Sequence, residues 1–264
     1  LTADLVEGIR PDVLASLTND RKSFEMYRQS IPAGELSNTE LMRNLLLDRH
    51  RESFDIIRNG DTAVFKTLDN TYRIDPMNGV VEFSYNPGSG EQPRGNVGDV
   101  FRNVFKRINS IKSELLPDNE LYLHSVELSG PGEPDSYVFN IGCMAGDYPV
   151  FYAGNGDMKA AGAVGSGDIV FPLEIRANSQ NIISFRWNIR QISKSNIKKN
   201  YDINFLNIMQ NIFSTYEIDA SELEINDAIE CFVRGLDAGS DLFPSLILDT
   251  GDEMLSIPLT ESEE

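Results

Sequence analysis

The feature that most constrains the fold of this sequence is a pair of apolar-alternating segments between Asp168 and Ile192, joined by the polar link Ala177-Asn178-Ser179-Gln180. Apolar residues recur at every second position, as in antiparallel strands with one buried face. In the first segment they are Ile169, Phe171, Leu173 and Ile175, and in the second Ile183, Phe185, Trp187 and Ile189. The pattern predicts a β-hairpin in the core, with Pro172 weakening its first strand.

The composition indicates an ordinary globular protein. The chain has 264 residues, of which 41% are hydrophobic and 24% charged, enough for a sizeable core. No apolar run approaches the roughly 20 residues that span a bilayer, and the start of the chain lacks the pattern of a secretory signal. Two cysteines, Cys143 and Cys231, are too few for a disulfide framework and suggest reduced thiols. We therefore expect a cytoplasmic protein without a membrane segment.

Helical and strand-like periodicities alternate along the chain. A helix is predicted to begin at the capping box of Ser37 and Glu40 and to end at Asn59-Gly60. Another is predicted over 98–116, and two more between Tyr201 and Gly235. Strands are predicted over 62–68, 71–75, 80–85, 121–129, 137–143, 149–153 and 246–248.

These elements predict an α+β fold. We expect N-terminal helices, then a mixed and mainly antiparallel sheet packed with helices, then an acidic C-terminal helical segment. The expected regions are a helical region over 1–60, an α+β core over 61–248 and an acidic, flexible tail over 249–264, within one compact domain.

The charges are sorted along the chain, and this is the strongest functional signal. The net charge is −18, and residues 201–264 contain 15 acids with a single base, Arg234. Between Glu174 and Asp202 there is no acid but there are six bases, Arg176, Arg186, Arg190, Lys194, Lys198 and Lys199. Such a basic strip suits a surface of opposite sign. That surface is either the acidic C-terminal third, within one chain or between two copies, or another protein. Two ordinary solvated faces are the alternative interpretation.

Binding of single-stranded nucleic acid is a further alternative for the basic strip. Trp187 and Tyr201 lie near these bases in sequence and offer rings on which a nucleotide base stacks. Against this, Trp187 falls on the predicted core face, and the acidic residues that follow repel a polyanion.

An enzymatic alternative rests on Cys143 and His124. If their predicted strands are neighbours, the thiol and imidazole meet, with Asp147 or Asp135 to orient the ring. However, Cys143 ends an apolar run, where an inert buried thiol is the usual outcome. The other histidine, His50, lies on the apolar stripe of its predicted helix, so scattered histidines and cysteines give no zinc site.

The glycine-rich segment between two predicted strands offers a weak ligand loop. Its glycines are Gly154, Gly156, Gly162, Gly165 and Gly167. The dinucleotide fingerprint fails because Lys159 occupies the position of the third glycine. The nearby acids Asp147, Asp157 and Asp168 lack the spacing of a calcium loop. We expect a connecting loop, with no cofactor and no metal.

From the sequence we therefore expect a non-enzymatic intracellular interaction or assembly protein that associates with itself or with a partner. A cysteine-dependent enzyme or a protein that binds a small ligand at the glycine-rich segment is the alternative.

Overall fold

The structure of the protein, a computed structural model, describes residues 9, 13, 14, 17, 20–46, 54–86, 93–130, 135–153, 169–216, 224–235, 241–251 and 254–262. These residues form mostly β-strands. The helices are α1 (Ala33–Ser37), α2 (Thr39–Leu46), α3 (Val97–Leu115) and α4 (Phe205–Tyr216). The strands are β1 (Asp20–Ser30), β2 (Asp55–Asn59), β3 (Thr62–Lys66), β4 (Asn70–Asp75), β5 (Val80–Tyr85), β6 (Glu120–Leu128), β7 (Tyr137–Ala145), β8 (Tyr148–Ala153), β9 (Ile169–Val170), β10 (Leu173–Ala177), β11 (Ile182–Asn188), β12 (Gln191–Ile203), β13 (Asp227–Gly235), β14 (Phe243–Asp249), β15 (Met254–Pro258) and β16 (Thr260–Glu261).

The predicted α+β fold class, with helices at both ends of the chain, is wrong, because the protein is predominantly β. Residues 20–30 form β1, in which Phe24 and Met26 are buried with the period of a strand. The helix predicted to reach Asn59 ends its described part at Leu46, and Ile57 lies in β2. Strand β13 replaces the last predicted helix, and β15 and β16 occupy part of the predicted tail.

The chain divides into two compact units, each assembled from separated segments. We call Gln29–Met144 with Phe171–Ile192 the central unit, and Leu1–Arg28, Ala145–Val170 and Ser193–Glu264 the terminal unit. Neither coincides with the predicted regions 1–60, 61–248 and 249–264, because strand pairing gathers distant parts of the chain.

The central unit contains an antiparallel sheet with strand order β6-β7-β10-β11-β5-β4-β3-β2. Its middle is the predicted hairpin, which is confirmed: β10 pairs with β11, and Leu173 lies opposite Trp187. The first predicted strand is interrupted at Pro172, which has no N–H to donate to a ladder. Ile169 and Val170 consequently belong to the separate strand β9.

An apolar row crosses the whole sheet of the central unit. From β2 to β6 its members are Ile56, Phe65, Tyr72, Phe83, Phe185, Ile175, Phe139 and Val126, each opposite the next. The six inner members are buried beneath α2 and α3, which contribute Met42, Val104 and Ile108 to the same core. The two ends, Ile56 and Val126, are 42% and 38% exposed. Burial of this row holds the unit together and leaves apolar groups at both edges.

In the terminal unit β13 runs parallel to β8 and antiparallel to β14, which in turn pairs with β15. A separate sheet has the order β1-β12-β16. Phe24, fully buried, packs against the rings of Tyr148, Tyr201 and Phe232 at centroid distances of 5.1, 5.7 and 6.1 Å. These rings form the centre of the unit's core, and such edge and tilted contacts are favourable.

Candidate interaction surface

The predicted basic strip is divided between the two units, and its arginines belong to the central unit. Arg186 of β11 lies opposite Glu82 of β5, and its guanidinium donates to that carboxylate at 2.6 Å. Glu82 also accepts from Arg73 of β4 at 3.4 Å, and Glu174 of β10 flanks Arg186 on the other side. Opposite charges therefore alternate across four strands on the face of the sheet that does not carry the apolar row. The positive charge of Arg186 is balanced within the unit.

Arg190 is only 4% exposed, so it does not offer its charge to a partner. Its guanidinium donates to the carbonyl oxygens of Ile189 at 2.9 Å and Gly79 at 3.4 Å. Its own carbonyl accepts from the buried side chain of Asn119 at 2.7 Å. Arg190 therefore fixes the chain at the end of the hairpin. Arg176, the remaining arginine, lies half-buried in β10.

The lysines of the strip belong to β12 in the terminal unit. Lys194 pairs with Glu25 at 3.2 Å, and Lys199 donates to Glu261 of β16 at 2.7 Å. That hydrogen bond raises the pKa of Lys199. Lys198 is exposed. These pairs reduce the positive charge that the strip presents, and exposed pairs of this kind contribute at most about 1 kcal/mol each to stability.

The aromatic residues considered for stacking on nucleotide bases are also buried. Trp187 is 1% exposed in the core of the central unit, and Tyr201 is 5% exposed in the terminal unit. A ring without an open face cannot stack on a nucleotide base. Trp187 and Tyr201 therefore do not supply the stacking rings that the nucleic-acid alternative requires.

The strand register does not place Cys143 beside His124. Cys143 of β7, buried at 3%, lies opposite Leu121 of β6. His124 stands at a β-bulge of β6, with its ring 4.5 Å from that of Phe171. Burial lowers the pKa of this histidine. Asp135 pairs with Arg94, so it is not placed as the partner that a nucleophilic pair requires. Asp147 lies in the turn between β7 and β8.

The remaining residues considered as ligand groups from the sequence lie outside the described residues. These are Gly154, Gly156, Gly162, Gly165 and Gly167, together with Asp157, Asp168 and His50. Within the part of the chain that is described, no cluster of three histidine, cysteine or acidic side chains is arranged to hold a metal ion.

The second thiol, Cys231, leads to a pH prediction. It is fully buried in β13, and burial raises its pKa. In the unfolded chain a thiol ionises at about pH 8.5. Above that pH the unfolded state has released a proton that the folded state keeps. The unfolding free energy should therefore fall as pH rises, by up to ~1.4 kcal/mol per pH unit from this group. Below that pH the group contributes no slope.

Urea denaturation of the natural chain and of Cys231→Ala across this alkaline range measures the effect. Groups other than Cys231 titrate in both chains and cancel in the difference. The natural chain should lose stability more steeply with rising pH than the variant. Equal slopes would show that Cys231 does not remain protonated in the folded state.

A feature that the charge pattern did not indicate is the open edge at β6. Among the described residues, β6 pairs only with β7. Leu123, Val126 and Leu128 are 38%, 38% and 59% exposed. They lie opposite Ile141, Phe139 and Tyr137, which places all three on the sheet face that carries the apolar row. Val126 thus extends the core to an edge that nothing described covers.

The β-bulge at His124 creates this continuous apolar edge. Simple alternation places Leu123 and Val126 on opposite faces, because three positions separate them. The extra residue at His124 shifts the register between Leu123 and Ser125, which brings both to the same face. Beside the edge, Phe101 of α3 packs on Phe139 at 5.7 Å. An aromatic side chain of α3 therefore packs on β7, the strand next to the edge.

Strand β2, at the opposite edge of the sheet, has a different character. It is five residues long against nine in β6, and all five are exposed. It carries both an acid, Asp55, and a base, Arg58. Its apolar residues, Ile56 and Ile57, point to opposite faces. The apolar side chains of β2 are therefore not grouped on one face, whereas those of β6 are.

No protein-family model matches the chain, and no curated protein matches it significantly. Among solved structures, the chain is similar to the crystal structure of YycH from Bacillus subtilis, with 10% identity and a TM-score of 0.42. The match covers 81% of this chain and 52% of that one, so this chain spans about half the length of that structure. None of the described helices has both the length and the apolar character needed to cross a bilayer.

Proposed function

We propose that this chain is a non-enzymatic protein-interaction module that binds an extended segment of a partner protein along the edge of β6. The observation that carries the proposal is the nine-residue edge strand with three exposed apolar side chains on one face. An unpaired strand edge presents N–H and C=O groups that template another strand. Adding a strand to such an edge is an established mode of peptide recognition.

The backbone of β6 would supply affinity, and its side chains would supply specificity. Backbone hydrogen bonds hold any extended segment, whatever its sequence. Alternate side chains of that segment would lie next to Val126 and Leu128, whose exposed surface is then removed from water. A partner with apolar residues at every second position fits this edge, whereas one with its apolar residues grouped together does not.

This interaction surface differs from the basic strip that the sequence predicted as the binding surface. Arg190 is buried, and Arg186, Lys194 and Lys199 are ion-paired. The class of function is retained because an open apolar edge supports it, while both cysteines are buried. Self-association and a cytoplasmic location stay predictions.

A peptide experiment tests the proposal. The probe is a nine-residue peptide in which lysine and valine alternate, and its control has the same composition with the valines grouped at one end. We expect the alternating peptide to slow amide hydrogen exchange in β6, because new backbone hydrogen bonds protect those amides. The grouped peptide should give no such protection. Exchange in β6 that neither peptide changes would refute strand addition at this edge.

Substitutions within the sheet supply the matched controls. Val126→Lys places a charge on the core-facing side of the edge, a device that natural proteins use to block strand addition. We expect it to abolish binding of the alternating peptide, and Leu128→Lys, at a more exposed position, to do the same if Val126→Lys folds poorly. Ile57→Lys on β2 should leave binding unchanged. Loss of binding in Ile57→Lys with retention in Val126→Lys would move the site to the other edge.

A further inference from the structure

We infer that the segment bound along β6 is basic, with lysine or arginine on the side opposite its apolar residues. This inference rests on the proposed function and adds the chemistry of the partner. Strand β6 contains two acids, Glu120 and Glu127, and no lysine or arginine. Both acids are exposed.

The register places these acids where they select a partner. Leu121 and Leu128, which lie opposite Cys143 and Tyr137, are neighbours of Glu120 and Glu127 in sequence. Because successive side chains alternate, both glutamates lie on the face opposite the apolar edge residues. An added strand with its apolar residues toward Val126 therefore presents its other side chains next to the two carboxylates. Opposite charges across paired strands are favourable there, and like charges are unfavourable.

On the face that carries the two glutamates, the base in register with Glu127 is Arg176 of β10. It lies opposite Val138, is separated from β6 by the whole of β7, and is half-buried. Glu127 also accepts from the side chain of Asn140 at 3.0 Å, which positions its carboxylate on the open face. The whole chain carries a net charge of −18, which attracts a cationic segment over a longer range.

A second copy of this chain is a poor occupant of the same edge. Two β6 strands side by side would bring four glutamates and no base to one seam. The repulsion within that seam adds to the repulsion between two chains that each carry −18. The charge layout therefore favours a different, cationic partner.

The test compares the alternating lysine–valine peptide with an alternating glutamate–valine peptide of the same length. At low salt we expect the lysine peptide to bind at least about tenfold more tightly than the glutamate peptide. The carboxylates of β6 attract the lysines and repel the glutamates. The difference should shrink as salt is raised towards about 1 M, where screening acts within about 3 Å. Isothermal titration calorimetry measures both affinities, and hydrogen exchange reports whether β6 is the site.

Replacing Glu120 and Glu127 together by glutamine isolates the electrostatic contribution. Glutamine keeps an acceptor for Asn140, so the strand should retain its structure. We expect the lysine peptide to lose several-fold in affinity and the glutamate peptide to gain. The single change Asp55→Asn on β2 is the control and should alter neither affinity.

The two proposals fail in different ways. If both alternating peptides protect β6 equally and the double variant changes nothing, the basic partner is refuted and strand addition stands. Tighter binding of the glutamate peptide would refute the basic partner in the same way. If neither peptide protects β6, the proposed function itself is refuted. If amide protection in β6 increased with protein concentration in the absence of peptide, the occupant would be a second copy of the chain. That result would overturn this inference.

Discussion

Replacing Trp187 by alanine is expected to lower the unfolding free energy by about 3–5 kcal/mol, the usual range for removing a large aromatic side chain from a core. Trp187 is 1% exposed and lies between Val81 and Leu173 in the sheet of the central unit. Since typical domains are stable by only about 5–15 kcal/mol, this loss removes a large part of the total. Urea denaturation monitored by far-UV circular dichroism measures this loss of stability. That signal does not depend on tryptophan fluorescence, which the variant lacks.

Two controls sharpen the tryptophan experiment. Trp187→Phe keeps much of the ring volume and should cost clearly less than alanine. Leu68→Ala removes an apolar side chain that is 94% exposed in the same unit, and it should change stability by no more than about 0.5 kcal/mol. A loss at Trp187→Ala as small as that at Leu68→Ala would show that the indole is not packed in the core.

Replacing Gly79 by alanine is expected to lower the unfolding free energy by about 2–4 kcal/mol. Gly79 has φ of 63°, a left-handed conformation that disfavours any side chain. A Cβ there would lie 2.8 Å from the carbonyl oxygen of Ile189 and 2.9 Å from a methyl group of Ile31. The new methyl group would therefore push against backbone that Arg190 holds in place.

Gly60 is the matched control for this substitution. It has φ of 60°, and no atom lies within 4 Å of a Cβ built at this position. Gly60→Ala should therefore show only the conformational cost of the left-handed backbone, about 1–2 kcal/mol. The difference between the two variants, measured by urea denaturation, is the cost of the close approach at Gly79. Equal losses of stability in the two variants would show that the atoms around position 79 move aside at no cost.

Local patterns in the sequence predicted several elements well. The hairpin of β10 and β11 follows from strict alternation, and α3 from apolar residues at spacings of three and four. The meander β3-β4-β5 follows from turn chemistry such as the Asn-Gly pair at 78–79. In each case a short-range pattern, either a period or a turn signal, was enough to predict the element.

The prediction of a helix in place of β13 was wrong for a definable reason. Cys231, Phe232 and Val233 are consecutive and all buried, because β13 lies between β8 and β14. A strand between two neighbours can be buried on both faces, and its continuous apolar run lacks the period of two. Such a run matches a helical stripe equally well when only the sequence is considered.

The candidate site was missed because it depends on register and pairing between distant segments. Arg186 appeared as a free base because its partner Glu82 lies 104 positions earlier in the chain. The apolar edge of β6 depends on a β-bulge at His124, and simple alternation predicts the opposite arrangement. The residues Leu123, Val126 and Leu128 were predicted as part of a strand, but the strand's position at an edge is a property of the whole sheet.

The single tryptophan has a practical consequence for experiments on a chain with two compact units. Its fluorescence is an optical reporter for the central unit alone, while the reactivity of the Cys231 thiol is a chemical reporter for the terminal unit. Emission wavelength and the labelling of Cys231, resolved from that of Cys143, followed in the same urea titration, would show whether the two units unfold together or in sequence.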